Sequence, residues 1–205
     1  MANRSKKKCP GKSGLHNGFT ELPIRLLANR LGLEDRWLRQ FIIHLPDGSL
    51  LIVPRAQWCV LIKAVVEQFC AKFSPGGKTI YVGDTDENFA YFDEALLKSL
   101  GVQIESHGKM PDVVIYHQKK NWLVLVEAVT SHGPVNPKRM SELKKLFKGC
   151  KAGLVFVTAF IDRQSMLKYL DEISWETEVW VAESPTHLIH FNGERFLGPY
   201  PEAAE

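Results

Sequence analysis

The chain has 205 residues, of which 45% are hydrophobic and 24% are charged. This composition excludes wholesale disorder and indicates one medium-sized domain, with or without a small appendage. The four Cys residues are scattered and form no CxxC pair, so we expect reduced thiols rather than a disulfide framework or a zinc finger. No apolar run is long enough to cross a bilayer and no signal peptide opens the chain, so we expect a cytoplasmic protein.

The net charge of +3 is unevenly distributed along the chain. Residues 1–12 hold five of the 26 Lys and Arg residues and no acidic residue, while the remainder holds 21 basic and 23 acidic residues. We therefore predict a basic flexible arm over residues 1–18. Such an arm suits contacts with phosphate groups, and it equally describes a disordered solubilising terminus.

Residues 19–75 are predicted to form a small helical region ahead of the main domain. The segment 21–43 has helical spacing with one glycine break, which makes a DNA-binding helix pair a candidate, although many helical hairpins share this pattern. A short strand over 49–53 and a helix over 55–73 follow. The Ser-Pro-Gly-Gly run at 74–77 breaks the chain, and we place a domain boundary there.

From residue 76 onward, the pattern alternates between strands and helices. Most of the strands are apolar on both faces, which predicts a buried sheet, and Asn136 and Asp162 are typical N-caps of the helices that follow them. The predicted strands are 78–83, 113–117, 122–127, 152–158, 176–182 and 186–191, and the predicted helices are 91–100, 137–148 and 162–170. This order predicts an α/β sandwich around a mixed central sheet over residues 76–200.

The hairpin formed by residues 111–127 brings two acids to one end of the predicted sheet. If its strands turn about Lys119 and Lys120, Asp112 falls directly opposite Glu127. Directly opposed residues have Cβ atoms about 4.5–5.5 Å apart, and two like charges at that separation need compensation. A divalent cation such as Mg²⁺, which binds through one or two carboxylates, would supply it.

Other interpretations of this acidic pair stay open. The two carboxylates can be solvated at a sheet edge or satisfied by neighbouring lysines. A slip of one residue in the register would also place them on opposite faces of the sheet.

The segment after Glu127 favours a phosphate-binding site. A polar loop leads into a helix that begins Pro137-Lys138-Arg139, and cations at a helix N-terminus oppose the helix dipole. Their presence there indicates binding of phosphate together with the free backbone N–H groups. The basic surface continues along the same element at Lys144, Lys145, Lys148 and Lys151.

Several segments resemble the BsuBI/PstI family of type II restriction endonucleases. The most specific are Pro111-Asp112 with EAVTSHGP at 127–134 and NPKR at 136–139. The other matching segments are YVGDT at 81–85, FVTAF at 156–160, WETEVW at 175–180 and HLIHFNGERFLGP at 187–199. The resemblance covers residues 78–200.

This resemblance implies the PD-(D/E)xK restriction endonuclease fold, with a mixed sheet flanked by helices. It implies Mg²⁺-dependent cleavage of double-stranded DNA by a homodimer at a short palindrome such as CTGCAG, and a cognate DNA methyltransferase encoded nearby. By position, Asp112 and Glu127 would be the metal carboxylates, and the backbone carbonyl of Ala128 would be a further metal ligand.

The chain departs from the superfamily motif at Val129, where a lysine is usual. We expect Lys138, or as second choice Arg139, to replace that lysine. His132 is a candidate phosphate donor or water-orienting base, and a loop histidine satisfied by the backbone is an equal alternative.

A further acid often comes from a neighbouring element in this fold. Glu67 and Asp84 are the candidates for this additional catalytic acid, although either can be a solvated or capping residue.

The leading hypothesis is therefore a type II restriction endonuclease. The alternative is a non-catalytic DNA-binding protein on a nuclease scaffold, which Val129 and a region of only about 75 residues before the core favour. A repair or RNA-directed nuclease of the same fold is a third, weaker hypothesis.

Overall fold

The structure, a computed structural model, describes residues 40–54, 57–83, 89–103, 109–130 and 133–191. The predicted basic arm and nearly all of the predicted helix pair lie outside these residues. One compact unit begins at Phe41 and contains every element discussed below except the first residue of the first strand.

The described residues form nine strands and five α-helices. The strands are β1 (Gln40–His44), β2 (Leu50–Pro54), β3 (Lys78–Gly83), β4 (Phe89–Phe92), β5 (Val113–His117), β6 (Trp122–Ala128), β7 (Gly153–Phe160), β8 (Thr177–Val181) and β9 (Leu188–Phe191). The helices are α1 (Gln57–Ala64), α2 (Cys70–Phe73), α3 (Glu94–Ser99), α4 (Pro137–Leu146) and α5 (Arg163–Leu167). A π-helical segment, Val65–Phe69, joins α1 to α2, and a 3₁₀ turn, Gln118–Lys120, joins β5 to β6.

Seven strands form the central sheet in the order β4-β3-β5-β6-β7-β8-β9. Strand β7 runs parallel to both β6 and β8, and the other neighbouring pairs are antiparallel. Strands β1 and β2 form a separate two-stranded sheet. The mixed central sheet predicted from the sequence is therefore confirmed.

Both faces of the central sheet are covered by helices. Successive strand residues point to opposite sides of the sheet, so each strand contributes to both cores. On one face, alternate residues of β5 and β6 share a core with α1, the π-helical segment and α2. On the other face, the remaining residues of these strands pack with α3 and α4. A third cluster joins the ends of β7 and β8 to α5. The helices therefore flank the sheet on both sides, as predicted.

Two of the predicted helices are partly strands. The predicted helix over 21–43 is wrong at its end, because Gln40–His44 is β1, with Ile43 buried between exposed Ile42 and His44. The predicted helix over 91–100 is shorter, because Phe89–Phe92 pairs with β3. The helix starts only after Asp93, whose Oδ1 accepts a hydrogen bond from the Leu96 N–H at 2.9 Å.

The domain boundary expected at 74–77 does not coincide with the division in the structure. The apolar side chains of the helical segment 57–73, Leu61 and Ile62 among them, are buried in the same core as β5 and β6. This segment therefore belongs to the same compact unit as the sheet. Within that unit, Cys59, Cys70 and Cys150 are free thiols, as predicted. Among the described residues, no helix is long and apolar enough to cross a membrane.

Candidate active site

The β5–β6 hairpin has the register predicted from the sequence. Val113 lies opposite Val126 and His117 lies opposite Trp122. Asn121 closes the turn in the left-handed conformation, at φ 52°, which Asn tolerates better than most residues. One further step along this register brings Asp112 opposite Glu127.

A direct hydrogen bond fixes Asp112 across the hairpin. Its Oδ2 atom accepts from the backbone N–H of Ala128 at 2.7 Å. The Asp112 carboxylate is thereby held beside the end of β6, where Ala128 directly follows Glu127, the second acid. The two acids meet as the sequence predicted.

Glu127 is a buried carboxylate paired with an arginine. Its residue is only 7% exposed, and Nε and Nη2 of Arg139 lie 2.9 Å and 2.7 Å from its Oε1 atom. Burial raises the pKa of Glu127 to about 7, and the neighbouring Asp112 charge acts in the same direction, while Arg139 opposes both. Glu127 therefore exchanges protons near neutral pH.

Arg139 also holds the segment that leads into Asp112. Its Nη1 donates to the carbonyl of Lys109 at 3.1 Å, and its Nη2 donates to the carbonyl of Met110 at 3.0 Å. Nη1 lies 3.6 Å from Oε2 of Glu142 one helical turn further on. One guanidinium thus links the two chain segments that carry the acids.

Local capping determines where Arg139 lies. Asn136 caps α4, with its Oδ1 accepting from the Arg139 N–H at 2.8 Å. The N–H of Val135 donates to the buried Oγ1 of Thr158 at 3.1 Å, and Thr158 lies beside Glu127 on β7. Sequence reasoning did not single out Thr158, although a polar residue inside the apolar run of β7 is a signal for such a role.

Arg139, and not Lys138, is brought to the two acids. The Lys138 side chain is 87% exposed, and its Nζ lies 4.0 Å from Glu142. Val129, which stands where the superfamily motif has lysine, is buried in the cluster around Phe160. Lys138 was the first choice predicted from the sequence to replace the motif lysine, but the positions of the two side chains favour Arg139.

Glu67, a predicted additional acid, does not join this group in the structure. Glu67 lies on the π-helical segment and accepts hydrogen bonds from Lys63 Nζ at 2.6 Å and from the backbone N–H of His44 at 2.9 Å. Burial acts to raise the pKa of Glu67, but these hydrogen bonds outweigh it and lower the pKa. Glu67 is therefore satisfied locally. Asp84 and His132 lie outside the described residues.

A cavity of about 500 Å³ opens beside Glu67, away from the acidic pair. Its lining comes from residues 44–46 and from residues between 66 and 76, and it includes neither Asp112 nor Glu127.

The donor atoms at the acidic pair suit Mg²⁺. Within the described residues, no group of three or more His, Cys, Asp or Glu side chains could hold a metal, and the acidic pair offers two carboxylates. Mg²⁺ binds proteins through one or two carboxylates and keeps several waters. Both arginine contacts fall on Oε1 of Glu127. The Oε2 atom of the same carboxylate can therefore serve as a metal ligand while the ion pair persists.

Known proteins similar to this chain are restriction endonucleases. The model of the BsuBI/PstI restriction endonuclease domain matches residues 41–194. The type II restriction enzyme BsuBI of Bacillus subtilis is 54% identical over 187 residues, which are 89% of this chain and 59% of that protein. The type II restriction enzyme AplI of Arthrospira platensis is 37% identical over 157 residues, which are 73% of this chain and 48% of that protein.

A solved structure supports the same fold. The SdaI restriction endonuclease aligns with a TM-score of 0.75 and 42% identity over 86% of this chain and 54% of that protein. The restriction endonuclease fold predicted from the sequence is thereby confirmed. The chain spans about half to three fifths of the length of these relatives.

Proposed function

Since this chain belongs to the BsuBI/PstI restriction endonuclease family, we propose that it hydrolyses phosphodiester bonds of double-stranded DNA as a type II restriction endonuclease. The observation that carries the proposal is the meeting of Asp112, Glu127 and Arg139 at one end of the β5–β6 hairpin. Paired carboxylates with a basic residue are the groups that metal-assisted phosphodiester hydrolysis requires.

In this proposal, Asp112 and Glu127 hold Mg²⁺, with the backbone carbonyl of Ala128 as a further ligand. The chemistry that Mg²⁺ supplies in such a site is polarisation of the scissile phosphate and a lowered pKa of an attacking water. Asp112 is already oriented by the Ala128 N–H, and Glu127 by Arg139, so both carboxylates are preorganised for binding. Preorganisation of this kind reduces the reorganisation needed during the reaction.

Arg139 takes the place of the motif lysine. Its guanidinium carries a fixed positive charge at the acidic pair, and it presents several N–H donors in one plane. Its N–H groups already donate to Glu127 and to the carbonyls of Lys109 and Met110, so its positive charge, and not a direct hydrogen bond, would stabilise the negative charge that develops on the phosphate. Arg139 therefore has two roles in the proposal, since it orients Glu127 and it supplies positive charge at the acidic pair. His132 stays a candidate for orienting the water.

Lys138 is proposed to position the DNA backbone. Its side chain is exposed at the N-terminal turn of α4, where the positive end of the helix dipole also favours anions. Contacts of this type fix the register of a protein on DNA without reading the sequence.

We further propose a homodimer that cuts both strands of a short palindrome, because a twofold protein matches a twofold site. CTGCAG is the target that we select for the first test, on the basis of the family resemblance. A methyltransferase that protects this sequence is expected to be encoded nearby.

The experiment is a digestion of genomic and plasmid DNA by the purified protein with Mg²⁺, followed by sequencing of the ends. Fragments that all end at one short palindrome are the expected result. A matched plasmid in which each candidate site carries one changed base pair serves as the control and should stay intact. DNA that is bound but never cut under any divalent metal would contradict the proposal and favour a non-catalytic DNA-binding protein.

A further inference from the structure

The end of the central sheet opposite the two acids carries a lysine-rich surface. Three loops meet there, at residues 98–102, 118–122 and 147–153, and they contain five lysines and no Asp or Glu. We call this the far-end surface. Its lysines are Lys98, Lys119, Lys120, Lys148 and Lys151.

Hydrogen bonds join the three loops to one another. The N–H of Lys151 donates to the carbonyl of Leu100 at 2.8 Å. Nδ2 of Asn121 donates to the carbonyl of Lys151 at 3.1 Å, and the N–H of Gly153 donates to the carbonyl of Asn121 at 2.9 Å. The lysines therefore extend from a connected backbone and not from independent loops.

Two glycines allow this close approach. Gly101 and Gly149 both have positive φ, at 88° and 91°. A Cβ atom on Gly101 would come within 2.7 Å of the carbonyl oxygen of Gly149. The first and third loops can meet only because a side chain is absent at this point.

Most of the charges of the far-end surface have no ion-pair partner among the described residues. Lys98 pairs with Glu94, but within the part of the chain that the structure describes, the other four lysines form no ion pair. All four are exposed. Lys120 Nζ lies 4.4 Å from the centroid of the Trp122 ring, which holds this charge at the surface.

The positive charges of these lysines also affect the pKa of a buried histidine. The residue of His117 is 3% exposed, and burial lowers its pKa, with the charges of Lys120 and Lys119 adding to the effect. Clustered like charges oppose folding unless a partner neutralises them. A surface selected for solubility alone would intersperse acids among these lysines.

The far-end surface is separated from the acidic pair along β6. Glu127 is five residues further along the strand than Trp122, which is about 16 Å at roughly 3.3 Å per residue. A phosphate that contacts this surface is therefore not the phosphate at the acids. The spacing is comparable to several phosphate steps along a DNA strand.

We propose that the far-end surface is a second binding site for the DNA backbone, which holds a segment of duplex outside the one being cut. The proposal rests on the proposed function in that DNA is the ligand, but it concerns binding and not catalysis. Its lysines neutralise phosphates without base contacts, so the binding is independent of sequence.

The test measures how the binding constant for a 40-base-pair duplex without CTGCAG depends on salt, in EDTA. Each phosphate contact that is lost lowers the slope of log K against log salt by about 0.9. The double variant Lys119→Gln/Lys151→Gln is compared with the control Lys72→Gln/Lys168→Gln, which removes two exposed lysines from elsewhere. We expect a slope lowered by about 2 in the first variant and unchanged in the control.

A third variant, Lys119→Arg/Lys151→Arg, restores the charge and should restore the slope. Equal slopes for the two glutamine variants would overturn the proposal. DNA cleavage with Mg²⁺ is measured separately on the same proteins. If the slope changes as expected but the unaltered protein never cuts DNA, then the second binding site stands and the proposed function fails. If the protein cuts DNA but the slope does not change, only the second site fails.

Discussion

Nε and Nη2 of Arg139 both contact the Oε1 atom of Glu127, at 2.9 Å and 2.7 Å. This arginine is the nearest compensation for two carboxylates that repel each other at the end of the hairpin. The same guanidinium also holds the carbonyls of Lys109 and Met110, just before Asp112. The geometry of the acidic pair therefore depends on one side chain from α4.

Arg139→Gln should destabilise the protein in a pH-dependent way. At pH 8 the variant must either keep the buried Glu127 charged without its cation or hold a proton on it, because removal of Arg139 raises the Glu127 pKa further, and loss of one partner of a buried pair costs about 3 kcal/mol. At pH 5 Glu127 is protonated, because its pKa is about 7, and the loss should be smaller. Urea denaturation in EDTA at both pH values measures this difference.

Lys138→Gln is the control for that variant, because its side chain is largely exposed. Its free energy of unfolding should stay close to that of the unaltered protein at both pH values. If Arg139→Gln lowered the free energy of unfolding equally at pH 5 and pH 8, this would contradict the role assigned to the ion pair.

Glu127→Gln should change how stability depends on pH. The folded pKa of about 7 lies above the ordinary value of 4.5, so between these values the folded state binds more protons than the unfolded state. The contribution of Glu127 to stability is therefore full below pH 4.5, and it is lost as the pH rises to about 7. Denaturation curves without metal should show this decline in the unaltered protein and a flatter profile in Glu127→Gln. Parallel profiles would mean that Glu127 titrates normally.

Much of the hairpin could be predicted from the sequence alone. Two apolar runs separated by a short polar turn determine a register, and that register places Asp112 opposite Glu127. The helix that follows was predictable for a similar reason, since Asn136 and Pro137 are local signals that act within one turn.

The choice between Lys138 and Arg139 could not be made from the sequence. Neighbouring helix residues point about 100° apart, and packing of the whole helix decides which one faces the sheet. The contact between Glu67 and the N–H of His44 could not be predicted for a related reason, since the two residues are 23 positions apart. The second half of β4, residues 91–92, was assigned to a helix because the strand has only four residues, which are too few to show a period.

Asn136→Ala should lower the free energy of unfolding and disturb the position of Arg139 in the site. The variant removes the cap that holds the Arg139 N–H, which costs about 1 kcal/mol, and it loosens the turn that carries Arg139. We expect slower DNA cleavage at a temperature where the variant is fully folded. Asn136→Asp keeps the acceptor and should retain both properties.

Asp162→Ala is the matched control, because Asp162 caps α5 through the N–H of Ser165 at 2.7 Å. It also removes a helix cap, but one that does not hold Arg139. Its cleavage rate should stay unchanged. A similar loss of cleavage in both capping variants would point to general loosening and not to Arg139.

Metal binding should require both acids and should weaken in acid. Protons compete with the metal for Glu127, so the affinity for Mn²⁺ should fall as the pH drops through about 7, by up to about tenfold per pH unit. Calorimetric titration at pH 6 and pH 8 measures this. Asp112→Asn should bind Mn²⁺ much more weakly at both values. Unchanged affinity in this variant would place the metal elsewhere.

The most direct measurement of the central claim is the rate of DNA cleavage with Mg²⁺ by Asp112→Asn and Glu127→Gln, each shown to be folded. Glu94→Gln, which removes an exposed carboxylate on α3, is the control. We predict that both site variants lose at least about 100-fold in rate while the control keeps the full rate. Cleavage at the unaltered rate by either Asp112→Asn or Glu127→Gln would contradict the assignment of the site.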